Sequence, residues 1–192
     1  MLSADIIGDL LTVTKGETFE DLRDHAVIRL LLTGMRRDEV TRLRVEDIDL
    51  QARQLVTVGL KGKAGRPVAF GHKTALALVR WLRVRASNRY APSADSGPLW
   101  LAVRNRAALT GNGIYQMLRR RTEQAGHPRG SVRPHLFRHT RAHQHLADGG
   151  SEGTLMQSIG WSDRSMIDRY GASLAQSRAL ADAHQRGLDD RY

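Results

Sequence analysis

A short segment of β-forming residues interrupts a chain whose apolar residues otherwise recur at helical spacing. Residues 55–60 favour a strand, a turn follows through residues 61–65, and residues 66–70 favour a second strand, which together predict a β-hairpin. Pro67 cannot donate a ladder hydrogen bond, so we place it at the start or the edge of its strand. The expected fold class is α+β, mainly α-helical with a small antiparallel β-sheet.

Helical spacing predicts the elements around this hairpin. One helix rests on four apolar residues that share a face: Phe19, Leu22, Ala26 and Leu30. Gly34 follows where this helix would stop, which places Arg36 just past a helix end. Further helices are predicted over residues 37–44, 72–85, 113–124, 134–147, 152–159, 164–170 and 174–186.

The net charge of the chain is strongly positive. Thirty Lys and Arg stand against 20 Asp and Glu, giving +10, a balance that favours nucleic acid as a partner ahead of an anionic membrane. The excess is concentrated, because residues 104–141 hold nine arginines and one acid, Glu123. A solvated protein face carries such runs as well, so charge alone leaves both interpretations open.

Size and composition narrow the class of protein. At 192 residues with 41% hydrophobic content, the chain fits one globular domain. It has no cysteine, which removes disulfides, thiolate catalysis and cysteine-based zinc sites and is compatible with a reducing compartment. The apolar runs are short and no secretion signal opens the chain, so we expect a cytoplasmic protein without a membrane partner.

Two residues on one predicted helix form a candidate phosphate site. His135 and Arg138 are three residues apart and share a helix face, where a guanidinium can bind two phosphate oxygens and an imidazole can exchange a proton. A His-x-x-Arg pair is also common on surface helices. His135, His139 and His143 have metal-ligand spacing, but no glutamate accompanies them as in His-Glu-x-x-His, so no metal is expected.

Three segments, in this order, resemble the boxes of the tyrosine recombinase catalytic domain, the phage integrase group. Thr33-Gly-Met-Arg36-Arg-Asp-Glu39 looks like the first box, and Pro134-His135-Leu-Phe-Arg138-His139-Thr140 is similar to the second. Ile159-Gly160-Trp161 followed by Tyr170 resembles the third. The resemblance covers about residues 4–187. One box is a weak signal, whereas three in order are a strong one.

The resemblance implies a role for each of five residues. Tyr170 would attack the scissile phosphate, forming a 3′-phosphotyrosyl bond and leaving a free 5′-hydroxyl. Arg36 and Arg138 would stabilise charge on the phosphoryl oxygens, and His135 would assist proton transfer. Trp161 stands where most members have histidine, and its indole N–H either donates to a phosphate oxygen or packs in the core.

The resemblance also implies a lysine in the hairpin turn and supporting residues near the arginines. An arginine five residues later and a hydrophobic residue seven later select Lys61, with Lys63 as the second candidate. Glu39 is expected to orient the arginines, and His139 to support the site without reacting. The covalent intermediate conserves bond energy, so we expect no cofactor, neither ATP nor Mg²⁺.

The domain organisation follows from the same resemblance. Residues 1–192 are expected to form a single catalytic domain, and the N-terminal core-binding domain of complete members is expected to be absent, since roughly 30 residues precede Thr33. The chain is then an excised catalytic domain or a minimal recombinase. Residues 171–192 are expected to form a helical tail, either exchanged between protomers or packed on its own domain.

The expected function is site-specific DNA recombination, with double-stranded DNA as the partner. The chain alone is expected to be a monomer that binds DNA weakly and assembles into a homo-oligomer, a tetramer, on DNA. A type IB topoisomerase-like enzyme that relaxes DNA is one alternative, and a non-catalytic DNA-binding relative is another. Integration, excision, transposition and dimer resolution all remain open.

Overall fold

A computed structural model describes residues 1–59, 65–88, 91–103, 108–161, 163–165 and 167. This part is mainly helical with a small antiparallel sheet, which confirms the predicted fold class. Its helices are α1 (Ala4–Thr12), α2 (Phe19–Leu31), α3 (Arg37–Arg42), α4 (His72–Ala86), α5 (Gly111–Gln124), α6 (Pro134–Ala147) and α7 (Glu152–Ile159). Among these described helices, none has the length and apolar character that crossing a bilayer requires.

The sheet has three strands in the order β1 (Ile48–Asp49), β2 (Gln54–Val56) and β3 (Pro67–Ala69). Both pairings are antiparallel, so β2 and β3 form the predicted hairpin, and Pro67 opens the edge strand as expected. Leu55 faces the core between its partners on β1 and β3. The turn, residues 60–64 with both candidate lysines, lies outside the described residues.

Side-chain caps set where several helices begin. The Ser3 hydroxyl accepts from the Ile6 N–H at the start of α1, and Thr18 and Thr110 cap α2 and α5 in the same way. Such caps satisfy N–H groups that lack an intrahelical partner. At the other end of α2 the chain passes through Gly34 with φ of 88°, a conformation that glycine adopts without strain. This turn leads directly into α3.

The chain divides into two compact units, residues 1–139 and 140–192. Three stacked or edge-on aromatic rings lie in the core of the first unit: Phe19, Trp81 and Trp100. The Trp100 indole donates to the Val40 carbonyl at 2.8 Å, which fixes α3 to this core. In the second unit, a smaller apolar cluster is formed by Ala142, Leu146, Leu155 and Ile159.

A buried ion network uses part of the arginine-rich segment. The Asp24 carboxylate is fully buried and accepts from Arg23, Arg120 and Arg121 at 2.7–3.1 Å. Arg121 also pairs with Asp21 at 2.8 Å. A buried carboxylate is costly unless such donors surround it. Arg120 and Arg121, which belong to the arginine-rich segment, therefore use their positive charges to stabilise the fold.

Another buried arginine, Arg85, holds the loop that follows α4. The Arg85 side chain is 0% exposed and donates to the carbonyl oxygens of Ser93, Ala94, Ser96 and Pro98 at 2.8–3.3 Å. No other side chain presents five N–H donors in a rigid plane, which suits this set of carbonyls. The guanidinium thus replaces the backbone partners that the loop lacks.

We expect Arg85→Met to destabilise the fold by about 3 kcal/mol, because the loop carbonyls lose their donors while staying buried. Urea denaturation followed by circular dichroism measures this loss. Arg83→Met is the matched control, since Arg83 is exposed on the same helix. Equal stability of the two variants would contradict the role of Arg85.

A half-buried histidine connects α1 and α2. Arg29 donates to Nε2 of His25 at 3.3 Å, so the neutral ring carries its proton on Nδ1, which lies 3.0 Å from the Thr14 hydroxyl. Burial, followed by the charges of Arg29 and Arg80, lowers the pKa of His25 to about 4. The folded state therefore holds this imidazole neutral.

His25 makes the stability of the fold depend on pH. In the unfolded chain its imidazole binds a proton near its ordinary pKa of 6.5, whereas the folded state resists protonation down to about pH 4. Stability is therefore fully present above pH 6.5 and falls as the pH drops toward 4. We expect His25→Gln to flatten this slope in urea titrations across that range, and His72→Gln, at an exposed position, to leave it unchanged.

Candidate active site

The start of α3 brings an arginine and a glutamate together. Arg36 is the N-cap residue, and its backbone N–H donates to Oε2 of Glu39 at 2.7 Å. The Arg36 guanidinium donates to Oε1 of the same carboxylate at 2.8 Å. Glu39 is 4% exposed, whereas 44% of the Arg36 side chain is accessible. One buried carboxylate thus fixes both the backbone and the side chain of Arg36.

Arg66 is a site residue that the sequence analysis did not identify. Its Nη2 donates to Oε2 of Glu39 at 3.2 Å, and its side chain is 16% exposed. Burial lowers the pKa of Arg66, while Glu39 opposes the shift. In the sequence this arginine served only to select Lys61 by its spacing. Its five-residue distance from Lys61 gave no indication of contact with Glu39.

Arg138 approaches the same cluster from α6. Its Nη1 donates to the Gly34 carbonyl at 2.8 Å, so the turn before α3 and the segment of the second predicted box are in contact. Burial first, and then repulsion from Arg36, lower the pKa of Arg138 to about 9. Arg66 also lowers it, and Glu39 opposes. Arg36 and Arg66 therefore pair with Glu39, and Arg138 lies near enough for its pKa to respond to all three charges.

A cleft of about 390 Å³ lies beside these arginines. It brings together three residues predicted for the site, Arg36, His135 and Arg138. Several residues that the sequence analysis did not single out also line it: Met35, Arg37, Asp38, Tyr115, Arg133 and Pro134. The cleft is therefore mainly cationic on its polar side, with an imidazole at hand.

His135 and His139 contact each other on α6. Their rings meet edge to face with centroids 5.6 Å apart. His135 is exposed and lines the cleft, whereas His139 is partly buried and does not line it. Among the described residues, the histidine, aspartate and glutamate side chains form no group that could hold a metal ion.

The other predicted site residues lie in the second unit or outside the described residues. Trp161 belongs to the second unit and packs against the cluster of Ala142, Leu146, Leu155 and Ile159. Gly160, with φ of 75°, ends α7 immediately before it. Tyr170, Lys61 and Lys63 lie outside the described residues. Their roles stay predictions.

The chain is similar in sequence to known proteins. The sequence model of the phage integrase family matches residues 1–177. A putative integrase/recombinase, y4gC of Sinorhizobium fredii, is 36% identical over 136 residues, which cover 69% of this chain and 67% of that protein. Tyrosine recombinase XerD of Mycobacterium leprae is 34% identical over 167 residues, covering 82% of this chain and 51% of that protein. The chain thus spans about half the length of this XerD relative.

Solved structures share the fold. The XerA recombinase structure has a TM-score of 0.78 and 26% identity, covering 94% of this chain and 64% of that chain. A structure of the XerH site-specific recombinase with its difH substrate has a TM-score of 0.74 and 21% identity, covering 95% of this chain and 52% of that chain. Together with the match over residues 1–177, these likenesses place the chain in the phage integrase family.

Proposed function

We propose that this chain carries the site of a DNA recombinase that cleaves and rejoins DNA strands. The observation that supports this most is the cluster of Arg36, Arg66 and Arg138 around buried Glu39, beside a cleft lined by His135. Arg36 and Arg138 both line this cleft, so their guanidinium groups lie beside any anion that enters it. A phosphodiester fits, because guanidinium groups bind phosphate oxygens in pairs.

The proposed reaction exchanges one phosphoester bond for another. The phenolic oxygen of Tyr170 attacks phosphorus, its proton passes to His135, and the bond from phosphorus to the 5′ oxygen breaks. Lys61 gives a proton to the departing 5′ oxygen. Attack by a 5′-hydroxyl of the partner strand then restores a diester and releases Tyr170. One ester bond is formed for each one broken, so no nucleotide hydrolysis is needed.

The arginines act on the charge that builds up at phosphorus. Arg36 and Arg138 donate to the non-bridging oxygens, and Trp161 donates its indole N–H to one of them. Burial of Arg138 makes its interaction with phosphate stronger than in water, and hydrogen bonds to Glu39 and Gly34 hold Arg36 and Arg138 in place before the substrate arrives. Glu39 keeps Arg36 oriented, and His139 supports the His135 ring through their edge-on contact.

Double-stranded DNA is the proposed substrate. The XerH structure contains a palindromic difH substrate, and a structure of the Tn1549 transposon integrase contains transposon right end DNA. Exchange between two duplexes requires cutting four strands, so we propose a tetramer on DNA, formed from protomers that are monomeric alone. Residues 171–192, outside the described residues, are the proposed segment that docks on a neighbouring protomer.

Sulfate should stabilise the wild-type chain beyond an equal ionic strength of chloride, because only the folded state assembles the arginine cluster. At about ten times its Kd, sulfate would add about 1.4 kcal/mol to the free energy of unfolding. Thermal denaturation measures the increment. We expect Arg138→Met to lose it and the exposed control Arg83→Met to keep it. An equal increment in both variants would place the anion elsewhere.

Covalent capture tests the nucleophile. The chain is incubated with a pool of nicked DNA duplexes of randomised sequence beside the nick, and protein–DNA adducts are isolated under denaturing conditions and sequenced. We expect an adduct with the wild-type chain and none with Tyr170→Phe, which lacks the attacking oxygen. Tyr115→Phe is the matched control, since Tyr115 lines the cleft. An adduct that survives Tyr170→Phe and disappears in Tyr115→Phe would move the nucleophile to Tyr115.

A further inference from the structure

Glu39 is divided between two arginines that come from different elements. Its Oε1 accepts from the Arg36 guanidinium, and its Oε2 accepts from the Arg36 backbone and from Arg66. Arg36 is the N-cap residue of α3, the helix that contains Glu39. Arg66 directly precedes strand β3 and is 27 residues from Glu39 in sequence. The carboxylate therefore links the hairpin to the start of α3.

The backbone of Arg66 is held firmly where the hairpin leaves the turn. Its N–H donates to the Thr57 hydroxyl at 3.0 Å, and its carbonyl accepts from the Thr57 N–H at 2.9 Å. Thr57 is buried, with 3% of its surface exposed. At Gly65 a Cβ would collide with the Thr57 carbonyl oxygen, so the chain passes too close for any other residue. The hydrogen bonds to Thr57 therefore fix the backbone position from which the Arg66 side chain extends to Glu39.

Sharing Glu39 affects the charge that Arg36 presents to the cleft. A carboxylate that pairs with two guanidinium groups neutralises each of them less than it would neutralise one alone. Loss of Arg66 would leave Glu39 to pair more strongly with Arg36, and it would also remove one positive charge from the cluster. Both changes reduce the stabilisation of an anion held by Arg36 and Arg138.

We propose that Arg66 is a positioning residue for the strand-cleavage reaction, acting through Glu39 to keep Arg36 oriented toward the scissile phosphate and only partly neutralised. This inference rests on the proposed function. Arg66 is mostly buried and lies outside the set of cleft-lining residues, which fits action through a neighbour. Through Arg66, the β2–β3 hairpin also influences how Arg36 and Arg138 bind the phosphate.

The test uses a nicked duplex whose sequence was recovered in the covalent capture. It is made in two forms, with either an ordinary diester or a neutral methylphosphonate at the scissile phosphate. On the diester we expect Arg66→Met to slow adduct formation roughly 10- to 100-fold, with little change in the Kd of the duplex. On the methylphosphonate, whose transition state carries less negative charge, Arg66→Met should reduce the rate of adduct formation by a smaller factor. Each variant is compared with itself on the two substrates. A smaller folded fraction lowers both rates equally and so does not change their ratio.

Two further variants sharpen the outcome. Arg66→Lys keeps the charge and should recover part of the rate, and Arg66→Met in a Glu39→Gln background should lose less than in the wild-type background, since the shared carboxylate is gone. Arg83→Met is the exposed-arginine control and should react like the wild-type chain.

The possible results separate the two proposals. A wild-type chain that forms no adduct with any duplex of the pool overturns the proposed function together with this inference. A wild-type adduct with equal fractional losses on both substrates means that Arg66 is only structural, which overturns the inference alone. An undiminished loss in the Glu39→Gln background means that Arg66 acts on the phosphate directly, which also overturns it.

Discussion

The buried carboxylate of Glu39 is the interaction on which the site depends. It accepts from the N–H of Arg36 where α3 begins, so the same contact that starts the helix also determines where the Arg36 side chain lies. Burying a carboxylate is costly unless it is paired and hydrogen-bonded. Arg36 and Arg66 meet that requirement. Local folding at α3 and assembly of the arginine cluster are therefore one event.

Among the described residues, two buried carboxylates pair with arginines, and they differ in where those arginines lie. The Asp24 carboxylate pairs with Arg23, Arg120 and Arg121, and Glu20 and Asp21 pair with the last two. The Glu39 carboxylate pairs with Arg36 and Arg66, and Arg36 and Arg138 line a cleft. The first network holds the fold together, whereas the second places guanidinium groups where an anion can reach them.

What the sequence could predict depended on how far apart the interacting residues are. Helical spacing and Gly34 located α2 and the position of Arg36, because the interactions that form a helix and its end are local. Strand β1 is two residues long, too short for a periodic pattern. Arg66 and Glu39 are separated by 27 residues, and Arg120 and Asp24 by 96. A run of arginines in sequence does not reveal which of them a distant carboxylate has already bound.

The guanidinium groups near Glu39 fit the transition state of the proposed reaction better than its substrate. Burial, and then repulsion from Arg36, lower the pKa of Arg138 to about 9. A phosphodiester beside Arg36 and Arg138 would reduce that repulsion. In the proposed reaction, attack on phosphorus increases the negative charge on the phosphoryl oxygens, so the reduction would be largest at the transition state. Stronger binding of the transition state than of the bound DNA is the condition for catalysis.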